Sequence, residues 1–227
     1  DGKEPPLATI EDVATHFIAA LRVGQADSLY FLGGSSFGGI VAFDMAQQLQ
    51  AQGQQVTLLT LIDTPKKLPN ELMDDIDILI YLLQVGDHVG SSWNQLRQLS
   101  AEEQLQYFVA HSQFAKELTP NIALEQIRHF LRLFKINVQA MLDYEAQPYS
   151  GQMLFFSARD LDSELNIPHP EQGWFDTATG GMAVYEVPGN HITMNFPPHV
   201  KVMADKLKEY LMKLENDDLS TNFKEDY

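Results

Sequence analysis

Apolar residues near the start of the chain follow the order strand, helix, strand. A short apolar run predicts a strand at residues 28–33, and apolar positions then recur every three residues, which predicts a helix that ends near residue 52. Residues 55–62 are apolar on both faces, as expected of a buried parallel strand. The spacing therefore predicts a βαβ unit and an α/β fold with a mostly parallel sheet and helices on both faces.

Helical spacing dominates the middle of the chain, and strands return only after it. Apolar stripes predict helices at 71–85, 100–118 and 120–146, and the second of these opens with a capping box of Ser100 and Glu103. Strands are predicted again at 152–157 and 182–187, followed by a last helix at 199–214. We predict a core formed by residues 1–65 and 147–214, a helical insertion at 66–146, and an acidic tail at 215–227 without regular structure.

The helical insertion is expected to be a lid over the active face, with a separate helical bundle as the alternative. A further helix should begin at Thr9, where Asp12 completes a capping box. Two apolar stripes are predicted to face inward. In the first helix the stripe is Ile10, Val13, Phe17, Ala20 and Leu21, and in the helix at 120–146 it is Ile127, Phe130, Leu131, Phe134, Val138, Met141 and Leu142.

Charge and composition exclude several classes of function. The 227 residues include 31 acidic and 15 basic side chains, for a net charge of −16, which argues against nucleic acid or an anionic membrane as a partner. No apolar run approaches the length of a membrane-spanning helix. The chain has no cysteine, which excludes disulfides, thiolate metal sites and a cysteine nucleophile, and is compatible with a reducing cytoplasm. No metal site and no bound cofactor are predicted.

The segment between the first predicted strand and its helix has the pattern of a nucleophile elbow. Gly34, Ser36 and Gly38 fit the G-x-S-x-G motif, which holds a serine in a strained turn at the sheet edge. A Cβ at Gly34 or Gly38 should collide where the strand meets the helix, and Gly39 should add further room. The backbone N–H of Phe37 is the predicted oxyanion donor. The alternative is a Gly/Ser loop that merely precedes a helix.

Ser36 needs a general base, and that base needs an orienting acid. The chain has seven histidines. His191 is the first candidate for the base, because it follows a predicted strand and a Pro-Gly turn late in the chain, and the base comes last in the chain order serine, acid, histidine. His199 is the second candidate. Three aspartates compete for the acid: Asp63 ends the strand after the nucleophile helix, and Asp160 and Asp162 follow the next core strand. Topology alone slightly favours the latter two.

Several motifs together resemble the thioesterase domains that terminate polyketide synthases and nonribosomal peptide synthetases. They are the elbow with its double glycine, the Leu-Ile-Asp strand end, the helical insertion, and the turn Gly-Asn-His-x-x-Met at residues 189–194. The resemblance extends over about residues 7–212. It implies an α/β-hydrolase fold in which Ser36 takes an acyl chain from the phosphopantetheine of a carrier protein, tethered in the same polypeptide, and His191 acts as the base.

The resemblance also bears on the acid and on the completeness of the site. Integral thioesterase domains commonly use the position of Asp63, whereas free-standing editing thioesterases often use the strand of Asp160 and Asp162. The family has histidine or an aromatic residue where this chain has Ser35, which affects the shape of the pocket. It also has strands, and a loop with a second oxyanion donor, before the first helix predicted here. We therefore expect an N-terminally incomplete core, with further sequence preceding Asp1.

Three other functions fit the same motifs. The chain could be a free-standing editing thioesterase, or an ordinary esterase or lipase with a helical lid. It could also be a noncatalytic module that binds a carrier protein. The sequence does not distinguish hydrolysis from cyclisation, because both use the same serine.

Overall fold

The computed structural model describes residues 5–24, 29–68, 74–85, 93–111, 120–160 and 169–222. The chain divides into two compact units, one formed by Asp1–Ala26 with Lys67–Glu145 and the other by Asp27–Lys66 with Ala146–Tyr227. We call the first the helical unit and the second the sheet unit. None of the helices in the described ranges is long and apolar enough to cross a membrane.

Among its described residues, the sheet unit contains four parallel strands, which lie side by side in the order in which they occur along the chain. These are β1 (Tyr30–Ser35), β2 (Val56–Ile62), β3 (Met153–Ala158) and β4 (Met182–Val187). Helix α2 (Phe37–Ala51) connects β1 to β2, which confirms the predicted βαβ unit. Short 3₁₀ helices at Pro170–Trp174 and Thr193–Asn195 flank β4. Ser35 lies opposite Ile62, and Ile62 lies opposite Phe156, so the carboxyl ends of three neighbouring strands meet at one edge.

Burial in the sheet unit follows the predicted apolar pattern. Strand β3 is buried along its whole length, as expected of a central parallel strand. The stripe of α2 is buried as predicted, at Ile40, Phe43, Ala46 and Leu49. Tyr149 is also fully buried, and its hydroxyl has no hydrogen-bond partner among the described residues. Burial raises the pKa of Tyr149 to about 12.

In the part of the helical unit that the structure describes, there are five helices. In chain order they are α1 (Ile10–Gly24), α3 (Asp75–Val85), α4 (Trp93–Leu96), α5 (Ala101–His111) and α6 (Pro120–Asp143). Both predicted capping boxes supply hydrogen bonds: Asp12 N donates to Thr9 Oγ1 at 3.1 Å, and Ser100 N donates to Glu103 Oε2 at 2.8 Å. The bonds from Ser100 lower the pKa of Glu103. Leucine, isoleucine and phenylalanine side chains from α3, α4, α5 and α6 form a common core.

Two helix faces differ from their predictions. Phe17 in α1 is 51% exposed and Phe130 in α6 is 39% exposed, although both were expected to face inward. Helix α1 buries Ile10 as predicted, but its other buried residues are Ala14 and Ile18, each four residues further on, and the predicted Ala20 is exposed. Adjacent stripes on one helix can be similarly apolar, and the packing partner then decides which stripe is buried.

The last helix is longer than predicted. Helix α7 spans His199–Asn222, so the expectation that residues 215–227 lack regular structure is wrong as far as Asn222. The segment 215–222 has neither glycine nor proline to end the helix, and the helix continues even though asparagine, aspartate, serine and threonine, which have low helix propensity, dominate there. Polarity alone was therefore a poor indicator of the helix end. Residues 223–227 lie outside the described part of the chain.

Candidate active site

Ser36 lies in a strained turn between β1 and α2. Its φ of 53° and ψ of −123° are unfavourable for a side-chain-bearing residue. The turn is held by two backbone hydrogen bonds, from Ser36 N to Ile62 O and from Gly39 N to Ser36 O, each 3.0 Å long. The Ser36 side chain makes no capping bond to α2, so helix capping does not occupy its hydroxyl. The backbone thus has the conformation that the elbow motif predicts.

The glycines of the elbow do not all have the role predicted for them. A Cβ at Gly34 would overlap Gly38 O and lie 2.6 Å from Gly39 N, which explains the glycine there. At Gly39 it would overlap Thr64 Oγ1 and lie 2.8 Å from Thr64 Cγ2. Gly38, in contrast, has nothing within 4 Å of such an atom, so the predicted collision at Gly38 is wrong. The close approach is between Gly39 and the end of β2.

Asp63 is the first residue after β2 and is also in a left-handed conformation, with a φ of 44°. Its backbone N–H donates to Phe156 O at 2.7 Å, which ties it to β3. One carboxylate oxygen, Oδ1, accepts the N–H of Ala158 at 2.9 Å. The other, Oδ2, lies 2.7 Å from His191 Nδ1. Because the carboxylate is only 9% exposed and both of its oxygens have partners, the orientation of Asp63 is well determined.

His191 lies in a compact turn after β4, and Asn190 organises that turn. Asn190 Oδ1 accepts the backbone N–H of Ile192 at 3.1 Å and that of Thr193 at 2.8 Å. Asn190 N donates to Thr193 Oγ1 at 2.9 Å, and the Thr193 hydroxyl donates to Asn190 Oδ1 at the same distance. Since a carboxylate can only accept, the imidazole carries a proton on Nδ1, which leaves Nε2 as the nitrogen predicted to act as the base.

The other candidate residues lie in different environments. Asp160 is on the surface, and its Oδ2 accepts the backbone N–H of Gly189 at 3.1 Å rather than a histidine. Asp162 lies outside the described residues. His199 is the first residue of α7, and its ring would be 3.1 Å from a Cβ at Gly189. Of the three candidate acids, the structure therefore joins Asp63 to His191. The catalytic assignments themselves stay predictions.

One contact around Asp63 was not predicted from the sequence. The indole N–H of Trp174, a fully buried side chain, donates to Thr64 O at 2.7 Å. This bond holds the carbonyl of Thr64, the residue after Asp63. Close to it in both parts of the sequence, the Lys66 ammonium donates to Thr177 Oγ1. Nothing in the sequence marks these residues as partners, because 110 positions separate Thr64 from Trp174. The Asn190 turn, by comparison, could have been recognised, since asparagine commonly bonds the backbone two or three residues ahead.

Phe37 is the first residue of α2. The first N–H groups of a helix have no acceptor within the helix, so its N–H is available beside Ser36. Within the described ranges, no group of three or more histidine, cysteine or acidic side chains could hold a metal ion. The arrangement is therefore a serine in an elbow and a histidine–carboxylate pair, all within the sheet unit.

A comparison with protein families decides where the chain belongs. The family model of the thioesterase domain matches residues 1–209. The chain belongs to the thioesterase domain family. Its relatives include the dimodular nonribosomal peptide synthase of Bacillus subtilis, 27% identical over 208 residues, and the chondramide synthase of Chondromyces crocatus, 25% identical over 230 residues. The matches cover 88% and 94% of this chain but only 8% and 6% of those synthetases.

Solved structures show the same fold for this thioesterase domain. A four-domain nonribosomal peptide synthetase gives a TM-score of 0.76 at 24% identity, covering 92% of this chain and 16% of that one. The NocB thioesterase domain, in covalent complex with a fluorophosphonate nocardicin G analogue, gives 0.59 at 20% identity, covering 92% and 78%. The RedJ thioesterase of Streptomyces coelicolor gives 0.62 at 19% identity, covering 93% and 74%. The fold is thus that of an α/β-hydrolase, as predicted, and the resemblance to synthetase thioesterase domains is confirmed.

Proposed function

We propose that this thioesterase domain releases an acyl or peptidyl chain from the phosphopantetheine thioester of a carrier protein, through an acyl intermediate on Ser36. The 2.7 Å contact between Asp63 Oδ2 and His191 Nδ1 supports this proposal most strongly. It directs Nε2 away from the carboxylate, as a base for a serine requires. The strained backbone of Ser36 is the second support, because strain of this kind is typical of nucleophile elbows.

In the acylation step, Ser36 Oγ attacks the thioester carbonyl carbon while His191 Nε2 takes the hydroxyl proton. The oxyanion that forms on the carbonyl oxygen accepts the Phe37 N–H. The carbon–sulfur bond then breaks, and the proton on Nε2 passes to the departing pantetheine sulfur. Asp63 keeps its charge throughout and stabilises the imidazolium.

In the second step, water or a nucleophile of the acyl chain itself attacks the acyl-serine. His191 Nε2 takes a proton from that nucleophile and returns it to Ser36 Oγ as the ester bond breaks. Water yields a free acid, whereas an internal hydroxyl or amine yields a ring. The proposal covers both outcomes, because they use the same residues and differ only in which nucleophile reaches the ester.

The proposed substrate is presented by a carrier protein rather than free in solution. The curated relatives are multidomain synthetases, and this chain matches only a small part of each. Tethering of a carrier domain in the same polypeptide would give a high effective concentration. It would also explain how a chain with a net charge of −16 meets acidic carrier proteins without electrostatic attraction.

Labelling with a fluorophosphonate probe tests the nucleophile. The intact protein should react at one serine, and Ser36→Ala should abolish the reaction. Ser35→Ala is the matched control, because Ser35 is the neighbouring residue at the end of β1 and should be dispensable for labelling. Labelling that persists in the Ser36→Ala protein, or that disappears in the Ser35→Ala protein alone, would refute the assignment.

Turnover separates the proposal from its alternatives. An acyl-pantetheine thioester should be cleaved faster than a short nitrophenyl ester, whereas an ordinary esterase would show the opposite preference. A noncatalytic carrier-binding module would bind a loaded carrier protein but would neither react with the probe nor release the acyl chain. These outcomes differ in both rate and product, so one set of assays distinguishes the three functions.

A further inference from the structure

We infer that Asp160 is a positioning residue, which holds the His191 turn against the sheet through the backbone of Gly189. Asp160 stands after β3, where sequence topology slightly favoured the triad acid. The structure gives its carboxylate a different partner, since Oδ2 accepts the Gly189 N–H at 3.1 Å. The inference rests on the proposed function, because it concerns how the base of that reaction is held.

The contact between Asp160 and Gly189 is reciprocal. Asp160 N donates to Gly189 O at 3.0 Å, so both backbone polar groups of Gly189 bond to this one residue. The preceding bond, from Arg159 N to Val187 O at 2.9 Å, continues the pairing of β3 with β4. Asp160 therefore extends the pairing by one step beyond the end of β4, through its backbone N–H and its carboxylate together, to a point two residues before His191.

The turn is held together by several internal hydrogen bonds. Asn190 Oδ1 accepts two backbone N–H groups, and Asn195 Nδ2 donates to His191 O at 3.1 Å. Gly189 has a φ of 93° and no room for a Cβ, which would lie 2.7 Å from Thr193 Oγ1. The turn is attached to the rest of the sheet unit by Met194, which is fully buried in the hydrophobic core, and by contacts with two aspartates. Asp160 supplies one on the β3 side, and Asp63 supplies the contact at the imidazole itself.

Asp63 and Asp160 thus have two different roles, although the sequence predicted only one orienting acid. Asp63 acts on the imidazole and needs a negative charge, because it stabilises the imidazolium. Asp160 acts on an N–H group and needs only an acceptor oxygen in the right place. An amide side chain keeps an acceptor oxygen but loses the charge. Replacement of each aspartate by asparagine therefore separates the two roles.

The experiment compares four variants of the intact protein in kcat and KM for an acyl-pantetheine thioester. Asp160→Asn should stay within about twofold of the parent kcat, because the amide oxygen still accepts the Gly189 N–H. Asp160→Ala should lower kcat by on the order of tenfold with little change in KM, since a displaced base costs rate rather than binding. Asp63→Asn should lower kcat by about 10⁴-fold. Asp176→Ala, at an exposed aspartate of the same unit, is the surface control and should match the parent.

A spectroscopic readout keeps the inference testable if a variant loses stability or if the substrate is wrong. The low-field proton resonance of His191 Nδ1–H reports its bond to Asp63, and amide exchange at Gly189 reports the bond to Asp160. Asp160→Ala should accelerate Gly189 exchange and weaken the His191 resonance, and Asp160→Asn should preserve both. Failure of the proposed function would instead appear as equal turnover by the parent and by Ser36→Ala, with these resonances unaffected.

Two results would overturn the inference. If Asp160→Asn lost as much activity as Asp63→Asn, Asp160 would be needed for its charge and would be acting as an acid. If Asp160→Ala matched the parent in kcat, in Gly189 exchange and in the His191 resonance, its carboxylate would have no positioning role.

Discussion

Replacing Gly39 with alanine should destabilise the sheet unit, because the new Cβ has no space. It would overlap Thr64 Oγ1 and lie 2.8 Å from Thr64 Cγ2 and 2.9 Å from Thr64 Cβ. Thr64 is fully buried, and its hydroxyl donates to Ile62 O at 3.2 Å, so its side chain has little freedom to move. Either the threonine changes rotamer and loses this bond, or α2 shifts away from β2.

The expected change in the free energy of unfolding for Gly39→Ala is the sum of two opposing contributions. Overpacking a well-packed core costs about 1–3 kcal/mol, whereas exchanging glycine for alanine within a helix gains up to about 1 kcal/mol. We expect a net loss of roughly 1–2 kcal/mol for Gly39→Ala. Gly38→Ala is the matched control, because nothing lies within 4 Å of a Cβ at that position. It should leave stability unchanged or raise it by up to about 1 kcal/mol.

Urea unfolding measures the difference. The chain has two tryptophans, Trp93 in the helical unit and Trp174 in the sheet unit. A Trp93→Phe background therefore makes the fluorescence report on the sheet unit alone. A double-mutant cycle with Thr64→Ala, which removes both of the overlapping atoms, should recover about 1 kcal/mol of the Gly39→Ala cost.

Equal stability of the Gly38→Ala and Gly39→Ala proteins would refute this reasoning. So would a larger loss at Gly38, which would mean that the close contact lies on the other side of α2. A cycle with no coupling between positions 39 and 64 would show that the cost does not arise from Thr64.

Three further predictions concern Tyr149, Asp63 and Asn190. Tyr149→Phe should raise stability at neutral pH by about 1 kcal/mol, because the buried hydroxyl has no partner among the described residues. Burial raises the pKa of Tyr149 to about 12 in the folded protein, so the unfolded tyrosine ionises first as the pH rises. The free energy of unfolding of the parent should therefore fall by up to roughly 2 kcal/mol between pH 10 and 12 and then level off. In urea unfolding across that range, the Tyr149→Phe protein should not show this fall. Asp63→Asn should lower kcat, and fluorophosphonate labelling of Ser36 should still occur but more slowly. A time course of labelling measures this rate. Asn190→Ala should leave two backbone N–H groups of the histidine turn without their acceptor and lower kcat by on the order of tenfold, and an unchanged rate would contradict the role given to that turn.

The fold was largely predictable because its strands and helices have strong periodicity. The βαβ unit, the buried stripe of α2 and the two capping boxes depend on local sequence, and the structure confirms them. The errors arose where a distant partner decides the outcome. The burial of Ile18 rather than Phe17 depends on what α1 packs against. Helix α7 extends to Asn222 because no glycine or proline ends it earlier. The polar composition of the segment led to the wrong prediction.

The candidate site shows the same division. The elbow at Ser36 and the turn at His191 have local motifs that could be recognised. The choice among the aspartates could not be made locally, because Asp63 and Asp160 both follow core strands and differ only in their distant partners. Gly38 was assigned a steric role that belongs to Gly39, since the close contact comes from Thr64, two residues after the end of β2.

Mass spectrometry of the serine peptide tests the central claim most directly. The intact protein is incubated with an acyl-pantetheine thioester, quenched in acid and digested. The account predicts an acyl adduct on Ser36 that appears before free product and is absent from the Ser36→Ala protein. Product release without any adduct, or an adduct on Ser35 or elsewhere that persists after the Ser36→Ala change, would contradict it.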